Sequence, residues 1–179
     1  MPSATIKLFL AHGDAKRLRT AELLNWSGKA VAGPRSELDG VLGRDEAEKS
    51  GVYFLIGTDP ESDKPAVYVG GAGSIRDRLR GHLDKDFWNH VVFFISKDEN
   101  LTQAHIRYLE GRLIEQAKSA GRALVMNGQS SEAKLPESDR EDMEVFLEKI
   151  HQFMPVLGAD ALLPIGSAPE GKPLLRGLR

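Results

Sequence analysis

Two apolar runs separated by a polar, turn-rich loop dominate the pattern of the chain: Val52 to Ile56, and Ala66 to Val69. The first is almost unbroken in its apolarity, which predicts a central strand covered on both faces. The loop from Thr58 to Lys64 carries Asp59-Pro60 and Ser62-Asp63, and Pro65 opens the second strand at a position where a missing N–H is tolerated. Ile75, Leu79 and Leu83 then recur at helical spacing and predict a helix from Ser74 to Leu83. Phe87, Trp88 and the run Val91 to Ile95 predict a third strand. Asn100 with Gln103 three residues later fits a capping box, so a helix is expected from Leu101 to about Ala120, where Gly121 ends it. Asn127-Gly128 is a strong turn signal. A last amphipathic helix begins at Pro136, Glu137 and Ser138, lines up Met143, Phe146, Leu147, Ile150, Phe153 and Met154 on one side, and stops at Pro155.

Ahead of this region, Thr5 to Leu10 and Leu18 to Leu24 read as short strands, and Ser27-Gly28 predicts a hairpin turn into Lys29 to Ala32. Pro34 stops that strand, and Ser36 with Asp39 begins a short helical segment through Leu42, followed by another turn of helix from Arg44 to Lys49. These first residues read as an accessory layer that supports the rest by packing. The expected fold class is α+β. From Gly158 onward the Gly- and Pro-rich tail reads as linker-like or loosely held.

Composition narrows the classes. A chain of 179 residues has room for one main domain with extra structure. No apolar run approaches the roughly 20 residues that span a bilayer, and the start MPSATIKLFLAHGD has no secretory pattern, so no membrane association and a cytoplasmic location are expected. The absence of cysteine excludes disulfides, thiolate zinc sites and cysteine nucleophiles, leaving oxygen or imidazole as ligands for any metal. A formal net charge of -2 counts against gripping nucleic acid by overall charge. A local basic patch remains available in Arg76, Arg78 and Arg80.

Candidate chemistry gathers around the two strands and the helix after them. Tyr53 and Tyr68 stand one on each strand, and Arg78 and His82 lie four apart on one helix face. Gly70, Gly71 and Gly73 enter that helix. They could cradle a phosphate through backbone N–H groups, but neither GxGxxG nor GxxxxGKS/T can be read, and close backbone packing at a strand-to-helix turn explains them better. On the next helix, Ile106, Leu113, Ile114 and Ala117 mark an apolar stripe, and Glu110 sits inside it. Burying a lone carboxylate is costly, so a cation, a metal or a hydrogen-bond network is expected beside it. Spacing alone weighs a salt bridge and a metal equally.

The GVY of residues 51–53 and the YVG of residues 68–70 resemble the paired signature of GIY-YIG nuclease domains, and the resemblance runs on through Asn127. Either triplet alone carries nothing; their order, the loop between them and the spacing of Arg78 and His82 carry the likeness. It implies a small central three-stranded antiparallel sheet flanked by helices over residues 50–128. An N-terminal β-rich extension (1–49), a C-terminal helical segment (129–157) and the tail (158–179) would surround it. It further implies a metal-dependent endonuclease acting on DNA, with Glu110 holding Mg²⁺ or Mn²⁺, Arg78 bracing the phosphate, Tyr53 activating or orienting water, and Tyr68 and His82 completing the network. Gly70, Arg76 and Asn127 are the candidate substrate-binding residues, although Asn127-Gly128 reads more readily as a plain turn. Two features depart from the family: Gly71 stands where some members carry Lys, and the interval from Glu110 to Asn127 is long. Target choice would then rest on a protein partner or further surface. The alternative is a nucleic-acid-binding or protein-interaction module on the same fold with little or no cleavage.

Overall fold

Alternation in β4 (Gly51–Thr58) sends Val52 and Phe54 to one face of a sheet and Tyr53 and Leu55 to the other, and all four are buried. Both faces are therefore covered, as the apolar run requires. The computed structural model describes residues 2–128 and 133–165. On the first face, β4 packs with β6 (Trp88–Ser96) under α3 (Gln103–Ala120) and α4 (Glu137–Val156), where Phe54, Phe94, Leu109, Leu113 and Phe153 form the larger core. The second face holds Tyr53, Leu55, Phe93 and Ile95 beneath α1 (Leu38–Leu42), α2 (Ile75–Arg80) and two 3₁₀ turns, Arg35–Glu37 and Asp45–Glu48.

The sheet has seven strands, not three. β1 (Ile6–Leu10), β2 (Arg19–Leu23) and β3 (Gly28–Pro34) join it on one side, then β6, β4, β5 (Pro65–Ala72) and β7 (Leu124–Val125) follow in that spatial order. All neighbours are antiparallel except β5 and β7. The N-terminal residues are thus part of the main sheet and not an accessory layer. The reason is hydrogen bonding: the edge of β6 away from β4 carries backbone groups that need partners, and β3 supplies them from Gly28 opposite Ser96 to Pro34 opposite His90. Ala21, Ala30 and Ala32 are fully buried. Their small side chains leave space on this face for Trp26, whose ring lies 5.0 Å from Phe146 and 5.1 Å from Phe153.

Four element boundaries differ from expectation, each for a local reason. Pro34 belongs to β3, because the last position of a strand tolerates a missing donor. Helix α2 stops at Arg80, leaving Leu83 half exposed in the following loop instead of on the buried stripe. The N-cap of α3 is Thr102, whose hydroxyl accepts from His105 N–H while His105 Nδ1 accepts from Thr102 N–H, so an imidazole fills the role expected of Gln103. Pro155 lies within the last turn of α4, where the helix tolerates it for one more residue.

The start of the tail is packed. Ala159, Ala161 and Leu162 are buried, and Arg122 donates to the carbonyls of Leu163 and Pro164. Residues 166–179, the remainder of the predicted loose tail, lie outside the described residues. Among the described residues, no helix is long and apolar enough to cross a membrane.

The end of α4 is fixed to the sheet by Arg19, which is only 5% exposed. Its guanidinium donates to the Leu157 carbonyl at 2.6 Å and lies 2.9 Å from His90 Nε2, placing a cation against the negative end of the helix. Burial and the neighbouring Arg19 push the His90 pKa down to about 4. A base whose folded pKa is depressed stabilises the fold above its unfolded value, near 6.5, and that increment is lost as pH falls toward about 4. The wild type is expected to lose about 2–3 kcal/mol through this group between pH 7 and pH 4. His90→Gln should flatten that part of the profile, as read from urea unfolding at several pH values; equal slopes in the two proteins would refute the assignment.

Candidate functional site

The antiparallel register sets Tyr53 opposite Gly70 and Leu55 opposite Tyr68, so both tyrosines face the α2 side of the sheet on adjacent strands. Gly70 makes this geometry possible. A Cβ there would fall 2.3 Å from the Tyr53 ring and hydroxyl, so the phenol lies directly across the bare backbone of β5. Gly70→Ala is expected to destabilise the fold by about 1–3 kcal/mol, because the fully buried ring has no room to withdraw. Chemical denaturation measures this, and an unchanged midpoint would mean that the ring is free to move.

His82 follows α2 in the loop 81–87, and its backbone carbonyl accepts from Trp88 Nε1 at 3.1 Å. Its Nε2 lies 2.7 Å from the Tyr53 hydroxyl. Ring centroids separate Tyr53 from Tyr68 by 6.3 Å, Tyr53 from His82 by 5.5 Å and Tyr68 from His82 by 4.9 Å. Three rings therefore pack against one another on the α2 side of the sheet. Within the described structure, His82 Nδ1 is buried without a hydrogen-bond partner.

Arg78, on the exposed side of α2, donates from one terminal nitrogen to the Gly71 carbonyl at 2.9 Å. That bond turns the guanidinium toward the end of β5. Glu110 approaches from α3 on the opposite face, half-buried at the border of the apolar stripe while Leu109 beside it is fully buried. Here α3 crosses β5 closely: a Cβ on Gly71 would meet Ile106 Cγ2 at 2.4 Å and Glu110 Cβ at 3.9 Å. A side chain at position 71 is excluded by the helix, which accounts physically for the glycine. Because β7 pairs β5 only at Ala66 and Val67, the edge of β5 away from β4 has no strand beside it from Gly70 onward among the described residues. The Glu110 Cβ lies beside this stretch of β5.

Electrostatics ties the pieces together. Burial pushes the Tyr53 pKa up strongly, with Tyr68 and Glu110 adding to the rise and Arg78 opposing it. The Tyr68 phenol is raised by burial and by Glu110, again against Arg78. Burial pushes His82 down, helped by Lys85 and Arg78 and opposed by Asp84, so the imidazole is neutral at pH 7. Arg78 and Glu110 thus bear on the ionisation of both tyrosines, and Arg78 on that of His82 as well.

The other three candidates are placed differently. Gly70 shapes the site through its missing side chain. Arg76 points away: it donates to the carbonyls of Leu42 and Arg44 and pairs with Glu48, tying α2 to the segment before β4. Asn127 accepts from Val69 N–H at 3.0 Å and donates to Val69 O at 2.7 Å, so its amide stands in for a strand residue at the edge of β5 beside Tyr68. Two residues of the site's surroundings were not anticipated. Lys85 places its ammonium 5.7 Å from the centroid of the Tyr68 ring, and its spacing of three from His82 is the signal that could have found it. Arg35 holds the loop 81–87 from about fifty residues away, and nothing local in the sequence announces that contact.

As a donor set for metal, the site offers one carboxylate. Among the described residues no group of three or more His, Asp or Glu could cage an ion. A single carboxylate fits a hard divalent cation whose remaining ligands are waters and phosphate oxygens, the usual arrangement for Mg²⁺ at phosphoryl chemistry. Neither a protein-family model, nor a curated protein, nor a solved structure matches this chain.

Proposed function

We propose that the chain is a divalent-metal-dependent endonuclease of the GIY-YIG type that hydrolyses phosphodiester bonds in DNA. The observation that carries this reading is the 2.7 Å contact between the Tyr53 hydroxyl and His82 Nε2, with Arg78 and Glu110 acting on the same phenol from either side. Hydrolysis requires a deprotonated water, positive charge where charge develops on phosphorus, and a proton for the leaving oxygen.

With its pKa raised, Tyr53 stays protonated at neutral pH and works as a relay instead of a standing phenolate. In the tautomer with its proton on Nδ1, His82 accepts from the Tyr53 hydroxyl at Nε2. Tyr53 is fully buried in the free protein, so substrate binding must first admit the attacking water to its hydroxyl; Tyr53 then takes the water's proton and passes its own to His82. The imidazolium formed is a strong acid, because burial and two cations oppose its charge, and it gives the proton back through Tyr53 to solvent after the cut, while the leaving oxygen on the far side of phosphorus takes its proton from water. The N–H groups of Arg78 not committed to Gly71 O brace the nonbridging oxygens with a planar fork. Glu110 would hold Mg²⁺ or Mn²⁺, which when bound supplies Lewis-acid stabilisation of the phosphate and the leaving oxygen.

The test is a nicking assay on supercoiled plasmid and on branched DNA with Mg²⁺ or Mn²⁺. Cleavage that EDTA abolishes supports the reading. DNA binding with no cut product under either metal would instead identify a binding module on the same fold, consistent with the slight negative net charge.

A further inference from the structure

We propose that Lys85 is a substrate-phosphate ligand of this site, a positively charged contact delivered by the loop 81–87 alongside Arg78. The inference rests on the nuclease reading for the identity of the substrate, and on three independent features of the loop for the role of the residue.

The first is position. Lys85 Nζ stands 5.7 Å from the Tyr68 ring centroid, on the side of the sheet shared with Tyr53 and His82. The second is charge. Arg76 pairs with Glu48 and Arg80 with Asp77, whereas Lys85 forms no ion pair among the described residues, despite Asp84 and Asp86 on either side. A half-buried cation without an acid partner, facing a buried imidazole, suits an anion supplied from outside. The third is rigidity. Arg35 donates to the carbonyls of Leu83 at 2.7 Å, Lys85 at 2.5 Å and Trp88 at 3.2 Å, and its guanidinium covers the Trp88 ring at 4.2 Å. Lys85 N–H also closes a turn on His82 O at 3.1 Å. The backbone that carries Lys85 is therefore fixed before any ligand arrives.

Binding at Lys85 also bears on the proton relay. The groups acting on His82 are Tyr53 from β4, Tyr68 from β5, Arg78 from α2, and Asp84 and Lys85 from its own loop. Lys85 opposes protonation of the imidazole. Once a phosphate oxygen pairs with Lys85, that opposition is screened, and His82 becomes a better proton acceptor only with substrate in place.

Lys85→Gln, Lys85→Ala and Lys85→Arg test this. Affinity for a short fluorescent duplex is measured by anisotropy against salt concentration without divalent metal, and cleavage kinetics are measured with Mg²⁺. The expected result for Gln and Ala is a salt slope shallower by about 0.9 and a KM raised about tenfold. Arg should restore most of both. The pH profile of kcat/KM, which reports the free enzyme, should shift upward in Lys85→Gln, whereas that of kcat should move less. A salt slope and KM equal to the wild type in both neutral variants would overturn the role of Lys85 and leave the nuclease reading intact. A shallower slope in a protein that never cuts would support the phosphate contact and sink the hydrolytic reading. No binding of DNA by the wild type would overturn both.

Discussion

Glu110→Gln is expected to reduce cleavage by about 10³-fold while leaving the fold intact. The substitution keeps the shape of the side chain beside β5 and removes its charge. Lewis-acid stabilisation of a phosphoryl transition state amounts to several kcal/mol, and each 1.36 kcal/mol is a factor of ten in rate. The loss should fall on kcat, and raised Mn²⁺ should recover only part of it. A readout independent of catalysis is available, because the charge of Glu110 raises the Tyr68 phenol. Ultraviolet titration of the tyrosines should show Tyr68 ionising at lower pH in the variant. A fully active Glu110→Gln protein would remove the carboxylate from the mechanism.

Tyr53→Phe is expected to lower the single-turnover rate by about 10²–10⁴-fold, the usual contribution of a positioned proton-transfer group. It deletes one atom and leaves the ring across Gly70. His82 then loses the partner of Nε2 in addition to its unpartnered Nδ1, and leaving such a buried group unsatisfied costs about 1–3 kcal/mol of stability. Both effects should appear together: slower cutting and a lower urea midpoint. Wild-type cleavage in Tyr53→Phe, with the stability loss present, would make the tyrosine a structural partner of His82 and move the proton elsewhere.

Much of the local structure was legible in the sequence because local forces decide it. The apolar runs of β4 and β6, the Pro65 opening of β5 and the periodicity of α3 and α4 all survive in the fold. The convergence of Tyr53, Tyr68 and His82 follows from antiparallel pairing plus one short helix, all within thirty residues. The width of the sheet was not legible. β3 reads as a short, Ala-rich strand with no sign of a partner some sixty residues further on, yet it runs alongside β6 for seven residue pairs. Arg76 looked like part of a basic patch until the carbonyls of Leu42 and Arg44 claimed its donors. The end of α2 at Arg80 is likewise set by Gly81 and by the distant hold of Arg35 on the loop, and the helical spacing of Leu83 was misleading for that reason.

The pairing of β3 with β6 has an evolutionary and engineering consequence. The segment bearing the tyrosines, Arg78, His82 and Glu110 is not a cassette that can be lifted out at residue 50 and grafted onto another targeting unit. Excision would strip one flank of β6 and leave an adhesive strand of Val, Phe and Ile ready to recruit neighbours. Fusions and domain shuffling must therefore carry the whole chain from β1 onward, and new specificity elements are best appended outside the sheet.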